Sequence, residues 1–193
     1  MILQEKVRRW RRDCLTETVG HPTRLADDSA YRGRARVFIT ASTFQRNAVF
    51  TDYAVATRTI EELLSLAIRE AIEIVAFCVM PEHVHLLLAG LTEDSHIPTT
   101  VRRWKQRTGY WYQKRRQQKL WQGNYWDRVL RRRDHLRPVL EYILSDPVRS
   151  GLVSNLKDYS LFGSTRLPRS ELVAIGMAGA EKAWLKPGPT FLL

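Results

Sequence analysis

The sequence has little cysteine, no long apolar run and too few acidic residues to balance its basic ones. Its two cysteines, Cys14 and Cys78, are far apart, so neither a disulfide framework nor a paired-cysteine metal site is expected. No stretch approaches the roughly 20 consecutive apolar residues of a spanning helix, and the N-terminus lacks the apolar segment of a signal peptide. These absences predict a cytoplasmic protein.

The excess of positive charge is concentrated in one segment. The chain has 31 lysines and arginines against 20 aspartates and glutamates, and residues 101–140 contain 13 basic and two acidic residues. Seven tryptophans and tyrosines lie in the same segment. Grooves that bind single-stranded nucleic acid typically combine basic side chains, which contact phosphates, with aromatic rings, which stack on bases. The segment therefore predicts nucleic-acid binding, with a merely solvated basic helix as the alternative.

Composition divides the chain into three parts. Residues 1–33 are charged and interrupted by glycine and proline, which predicts a loosely ordered leader. Residues 165–193 contain three prolines and are predicted to form a C-terminal tail. The intervening residues 34–164 are long enough to bury a core and are expected to form one domain.

Apolar residues within this domain follow the period of strands in some segments and of helices in others. We predict strands at residues 36–41, 73–80, 83–88 and 125–131. We predict helices at residues 52–74, 99–118 and 135–147. Asp134 would cap the last helix and Pro147 would end it. Hairpin-type links between strands predict an α+β domain with its helices on one face of an antiparallel sheet.

Two histidines, His83 and His85, lie two positions apart on a predicted strand. Alternate residues of a strand point to the same face, so both imidazoles should converge there. Such a pair can coordinate a divalent cation and leave the rest of its coordination sphere to water and substrate. The alternative is two histidines at a strand edge without a metal.

Tyr142 and Asp146 are candidate partners of the histidine pair. At positions i and i+4 of a helix, they share one face, which we expect to be its polar face, with Glu141 and Ser145. The tyrosine hydroxyl could then attack a phosphate, and the Asp146 carboxylate could complete a metal site. Alternatively, Tyr142 spans the boundary between core and solvent, and Asp146 merely precedes the proline.

Three sequence blocks carry a family resemblance in addition to these patterns. PEHVHLLL, LWQGNYWDRVLR and VLEYILSDPVRSGLV occur in this order within residues 81–153. The ordered set resembles the REP-associated tyrosine transposases, a branch of the single-tyrosine transposases with a His-hydrophobic-His motif (HUH transposases). Upstream, RVFITASTFQRNAVF resembles the first strand of that family and extends the match to about residues 34–164.

The resemblance implies a ferredoxin-like antiparallel sheet with flanking helices, the HUH nuclease fold. By position, His83 and His85 match the metal pair, and Tyr142 matches the nucleophile that leaves a 5′-phosphotyrosine and a free 3′-hydroxyl. Asp146 stands where relatives have an asparagine that assists the metal. An aspartate is a harder ligand that suits Mg²⁺ or Mn²⁺, but its charge would repel a scissile phosphate.

The expected partner is single-stranded or hairpin DNA, which implies that the protein associates with the nucleoid. The residues expected to contact DNA are basic or aromatic side chains of the charged segment: Arg102, Arg103, Trp104, Lys105, Arg107, Trp121, Arg131, Arg132 and Arg133. The family includes dimers that share active sites and members compatible with a monomer, so either a monomer or a homodimer fits.

Two other functions remain open on the sequence alone. One is a non-catalytic relative that binds single-stranded nucleic acid, in which Asp146 marks lost chemistry. The other is a metal-dependent nuclease that uses water as the nucleophile. Tyr110 and Tyr112 are rival nucleophiles, although the basic residues four positions later suit DNA contacts better than metal ligation.

Overall fold

The computed structural model of the chain describes residues 28–131 and 134–184. The described part contains five β-strands: β1 (Arg36–Ser42), β2 (Ile72–Met80), β3 (His83–Gly90), β4 (Trp126–Leu130) and β5 (Phe162–Gly163). It also contains four α-helices: α1 (Tyr53–Arg69), α2 (Ile97–Arg116), α3 (Leu136–Arg149) and α4 (Arg169–Trp184). None of these described helices is long and apolar enough to cross a membrane.

The strands form one antiparallel sheet in the order β4-β1-β3-β2-β5. The first four strands alternate with α1 and α2 as β-α-β-β-α-β, which is the ferredoxin-like arrangement. Strand β3 lies at the centre, hydrogen-bonded to β1 on one side and to β2 on the other. The predicted fold class is therefore confirmed, and the predicted strand and helix positions agree with the structure to within a few residues, except that α1 ends at Arg69 rather than near residue 74.

Both faces of the sheet are covered by helices, which corrects the prediction of helices on one face. Val84, Leu86 and Leu88 of β3 belong to one buried cluster with α1 and α2. Leu87 belongs to a second buried cluster with α3 and α4. All eight residues of β3 are buried, and a sheet that is apolar on both faces requires a helical layer on each.

Helix α3 continues to Arg149, past the proline that was expected to end it. Pro147 lies inside its last turn, where its missing N–H removes one helical hydrogen bond. The carbonyl groups of Asp146 and Pro147 still accept backbone hydrogen bonds from residues beyond the helix. Asp134 does not cap α3, whose N-cap residue is His135, and its carboxylate instead accepts a hydrogen bond from the Arg131 N–H just after β4.

Residues 169–184 of the predicted C-terminal tail form helix α4, which packs against α3. Two glycines of α4 permit close backbone contact. A Cβ atom at Gly179 would lie 2.6 Å from the Glu141 carbonyl oxygen, and one at Gly176 would lie 3.0 Å from the Leu144 carbonyl oxygen. Lys182 adds an ion pair of 2.7 Å with Glu141. Helix α3 therefore lies between the sheet and α4.

Candidate metal and nucleic-acid site

Three potential metal ligands meet where β3 faces α3. His83 and His85 are on the same face of β3 as Leu87, and this face packs against α3, which carries Asp146. The two histidine Nε2 atoms are 2.9 Å apart. The Oδ2 atom of Asp146 is 3.3 Å from each of them. The structure thus brings together the three residues that were expected to bind metal.

Neighbouring side chains fix the orientation of both imidazoles. The Nδ1 atom of His85 is 2.9 Å from the hydroxyl oxygen of Thr40 on β1. The Nδ1 atom of His83 is 3.1 Å from a carboxylate oxygen of Glu82. A hydrogen bond at one ring nitrogen leaves the other available as a ligand. Thr40 and Glu82 were not identified from the sequence, because neither has a motif that marks it as an orienting partner.

The geometry of the cluster suits a divalent cation. Metal–ligand bonds to imidazole nitrogen and carboxylate oxygen are about 2.0–2.2 Å long. Two ligands at right angles around such an ion are therefore about 3 Å apart, close to the observed separations of 2.9 and 3.3 Å. Two nitrogens and one oxygen on one side of an ion would leave its other positions open to substrate oxygens.

Electrostatics inside the cluster favour an ionised carboxylate beside the imidazoles. Burial opposes the charge on Asp146, but the hydrogen bonds with His83 and His85 and the charge of Arg149 hold its pKa well below the ordinary value. Burial and the neighbouring His83 lower the pKa of His85 to about 4. Burial also opposes the charge on His83, yet its hydrogen bonds with Asp146 and Glu82 raise its pKa. At neutral pH His85 is therefore a neutral imidazole, the form that binds metals.

Tyr142 lies one helical turn before Asp146 and contacts the histidine cluster. Its ring centroid is 5.5 Å from that of His85 and 6.0 Å from that of Phe38. The residue is 8% exposed, and Ser145 and Asp146 are buried as well. The expected polar face of α3 is thus enclosed rather than solvent-exposed, because the sheet covers the helix on one side and α4 on the other.

Arg149 is a further member of this cluster that was not singled out from the sequence. Its guanidinium carbon lies 4.5 Å from the centroid of the Tyr142 ring. Its Nη2 atom donates to Asp146 Oδ1 at 2.5 Å. The spacing offered a signal, since positions 142, 146 and 149 are i, i+4 and i+7 of one helix and therefore share a face.

A groove of about 830 Å³ lies on the other side of the sheet, between α2 and the segment that leads into β4. Arg102, Lys105 and Tyr110 line it. The Lys105 ammonium donates to the carbonyl oxygens of residues 122 and 124, at 2.9 and 2.8 Å. Burial lowers the pKa of Lys105 to about 8. Tyr110 is 64% exposed.

The two tryptophans that were expected to contact DNA belong to the protein core. Trp104 is fully buried, and its indole N–H donates to the Thr59 carbonyl oxygen. Trp121 is at the base of the groove but 8% exposed, and its N–H donates to the Thr108 hydroxyl. The rings pack against each other with centroids 4.8 Å apart. The prediction that they stack on bases is therefore corrected. Tyr112, one of the rival nucleophiles, is likewise buried.

The predicted DNA-contacting arginines point in different directions. Arg102 lines the groove, whereas Arg107 forms an ion pair of 2.8 Å with Glu62 of α1 and Arg103 forms one of 2.8 Å with Glu70, the residue that follows α1. Arg131 is exposed just after β4. Arg132 and Arg133 lie outside the described residues. Of the predicted basic contacts, Arg102, Lys105 and Arg131 are thus the described ones that form no ion pair with a glutamate.

Comparison with known proteins identifies the class to which this fold and site belong. The profile of the family described as "Transposase IS200 like" matches residues 34–143, more than half of the chain. The chain therefore belongs to the family of IS200-like transposases.

Two individual proteins show which transposases this chain is similar to. A Haemophilus influenzae protein named "Putative REP-associated tyrosine transposase" is 27% identical over 115 residues, which cover 52% of this chain and 63% of that relative. The chain thus spans less than two thirds of the relative's length. A solved structure of a REP-associated tyrosine transposase bound to a REP hairpin matches with a TM-score of 0.60 and 20% identity. The structural match covers 75% of this chain and 82% of the solved chain. The predicted fold and the resemblance to REP-associated tyrosine transposases are confirmed.

Proposed function

We propose that this chain is a metal-dependent endonuclease and strand transferase that cuts single-stranded DNA at hairpins through a phosphotyrosine on Tyr142. The observation that carries the proposal is the contact between the Tyr142 ring and His85, one helical turn from Asp146. His83, His85 and Asp146 would hold the divalent ion, Mg²⁺ or Mn²⁺. All four side chains come from one chain, so either a monomer or a homodimer could carry the site.

The reaction exchanges one phosphodiester for another. The Tyr142 hydroxyl gives up its proton and its oxygen forms a bond to phosphorus, while the bond from phosphorus to the 3′-oxygen breaks and that oxygen takes up a proton and leaves as a 3′-hydroxyl. A phenol is mostly protonated at neutral pH and is then a weak nucleophile. When bound, the divalent ion would supply charge stabilisation at the non-bridging phosphate oxygens. The phosphotyrosine conserves the bond energy, so a 3′-hydroxyl can later attack it and reseal or transfer the strand.

The groove along α2 is the proposed surface for the DNA. Arg102 and Lys105 would contact phosphates, and the exposed Tyr110 ring would stack on an unpaired base. The groove and the histidine cluster are on opposite faces of the sheet. We expect a strand that reaches both to pass along the edge strand β4, where Arg128 and Arg131 are exposed. Binding to chromosomal hairpins would place the protein at the nucleoid.

A covalent-adduct assay tests the proposed function. Hairpin oligonucleotides with single-stranded flanks, taken from repeated palindromes of the genome that encodes the chain, are incubated with the protein and Mg²⁺ or Mn²⁺. We expect a protein–DNA adduct on a denaturing gel, and no adduct in EDTA or on hairpin-free duplex. Metal-independent binding without an adduct would instead indicate a non-catalytic DNA-binding relative. Cutting without an adduct would indicate a nuclease that uses water.

Adjacent arginines of α2 provide a matched test of the groove. Arg102→Ala should weaken hairpin binding about three- to tenfold and lower the slope of log affinity against log salt by about one. Arg103→Ala should change affinity less than about twofold, because Arg103 already pairs with Glu70. Fluorescence anisotropy over a series of salt concentrations measures both. Equal losses in the two variants would argue against the groove as the DNA surface.

A further inference from the structure

Arg149 has far more hydrogen-bond donors than the described part of the protein satisfies. A guanidinium carries five N–H hydrogens. Asp146 Oδ1 is the one acceptor found for them among the described residues. The Nε atom is enclosed by protein and has no hydrogen-bond partner there. The Arg149 side chain is 19% exposed, so part of it still reaches the surface beside Tyr142.

This under-satisfied cation points to an absent acceptor. Buried polar groups in folded proteins are nearly always hydrogen-bonded, and an unpartnered charged donor costs free energy. Nε is the single buried side-chain nitrogen or oxygen without a partner in residues 28–131 and 134–184. The guanidinium that carries Nε lies beside the proposed nucleophile and belongs to a side chain that is 19% exposed, so a substrate can supply an acceptor to its outer N–H groups.

The charges of the site indicate an anionic acceptor. Asp146 and Glu82 both contact the histidines and contribute negative charge. A phosphodiester brought to Tyr142 adds another negative charge close to Asp146. Arg149 is the cation that contacts Asp146 and Tyr142 directly. The planar guanidinium is also the side chain whose N–H groups best match phosphate oxygens.

We propose that Arg149 binds the phosphate that Tyr142 attacks. One guanidinium N–H group keeps Asp146 in place, and the Nη N–H groups without an acceptor donate to a non-bridging oxygen of the phosphodiester and then of the phosphotyrosine. This role rests on the proposed function, because it assumes that a DNA phosphate enters beside Tyr142. It makes Arg149 a catalytic residue rather than a support for the helix end.

NMR tests the contact without requiring the reaction. An enclosed Nε–H exchanges slowly, so the Arg149 Nε–H signal should be observable, and its loss in Arg149→Lys assigns it. In EDTA, a DNA hairpin with single-stranded flanks should shift this signal. The same hairpin with uncharged methylphosphonate linkages in its flanks should not. No shift with the charged probe, or a shift that appears with Mg²⁺ alone and not with DNA, would overturn the proposal.

The rate of adduct formation provides the second readout. Arg149→Lys keeps the positive charge but loses the planar guanidinium with its paired N–H donors. The rate of adduct formation should therefore fall about 10- to 100-fold, while hairpin affinity should change less than about twofold. Arg169→Lys is the matched control, because the Arg169 guanidinium also stacks on a ring, that of Phe162 at 4.2 Å. It should react at the wild-type rate. An unchanged rate in Arg149→Lys would overturn the proposal. If the wild-type protein formed no adduct, the proposed function would be refuted. The NMR experiment would then show separately whether Arg149 contacts a DNA phosphate.

Discussion

Replacing Tyr142 with phenylalanine should lower the rate of covalent adduct formation by at least about 10³-fold, because the proposed nucleophilic oxygen is gone. The substitution removes that atom alone. The ring should retain its contacts with Phe38, His85 and Arg149, so the fold and the metal cluster should persist. Affinities for the divalent ion and for the hairpin should stay within about twofold of wild type. Single-turnover gel assays and calorimetry measure these quantities.

Tyr110→Phe is the control for the tyrosine experiment. Of the two rival nucleophiles, Tyr110 is exposed and lines the groove, whereas Tyr112 is buried. Its variant should form the adduct normally. Adduct formation by Tyr142→Phe at the wild-type rate would contradict the assignment of the nucleophile. Cutting by Tyr142→Phe without an adduct would point to water as the attacking group.

His85→Gln should weaken Mn²⁺ binding by at least about 100-fold and reduce adduct formation below detection. His85 is 3% exposed and supplies one of three ligands, and its loss leaves too few protein donors to hold the ion. Glutamine preserves much of the side-chain volume, which limits the loss of packing. Hairpin affinity should change little, because the groove is on the opposite face of the sheet. Calorimetry with Mn²⁺ gives the affinity directly.

A second histidine serves as the control for metal binding. His96 hydrogen-bonds to Asp28 and Thr99 at the start of α2, away from the cluster. His96→Gln should therefore bind Mn²⁺ as tightly as wild type. Similar losses in the two variants would indicate that a general effect on folding, rather than ligation, determines the affinity. Wild-type Mn²⁺ affinity in His85→Gln would exclude His85 as a ligand.

Local patterns predicted the parts of the fold that depend on neighbouring residues. The two-residue period of β3 placed His83 and His85 on one face, and the structure has them there. The four-residue spacing placed Asp146 one turn after Tyr142 on α3. That α3 packs beside β3 did not follow from the spacing. It followed from the ordered sequence blocks that resemble a known family.

Features that depend on tertiary packing were not predictable in the same way. Trp104 and Trp121 occur among basic residues, and sequence composition does not distinguish a ring that packs inside from one that faces a groove. Arg102 and Arg103 are neighbours in sequence, yet only their positions around α2 decide which one pairs with Glu70. Helix α4 was missed because nearby prolines suggested an irregular tail, although Pro168 directly precedes the helix.

Asp146 has three partners in this site. Its Oδ2 atom faces both histidines, and its Oδ1 atom accepts from Arg149. The charge that would repel a phosphate is therefore partly neutralised by a cation that can itself bind phosphate. Under the proposed function, this arrangement would let a chain with aspartate at this position accept a DNA strand next to Tyr142.

The most direct measurement of the central claim is the identity of the residue that becomes linked to DNA. The protein–DNA adduct is digested with nuclease and protease, and the modified peptide is sequenced by mass spectrometry. The account predicts a nucleotide joined through its 5′-phosphate to Tyr142. A nucleotide on Tyr110 or on any other residue would contradict it.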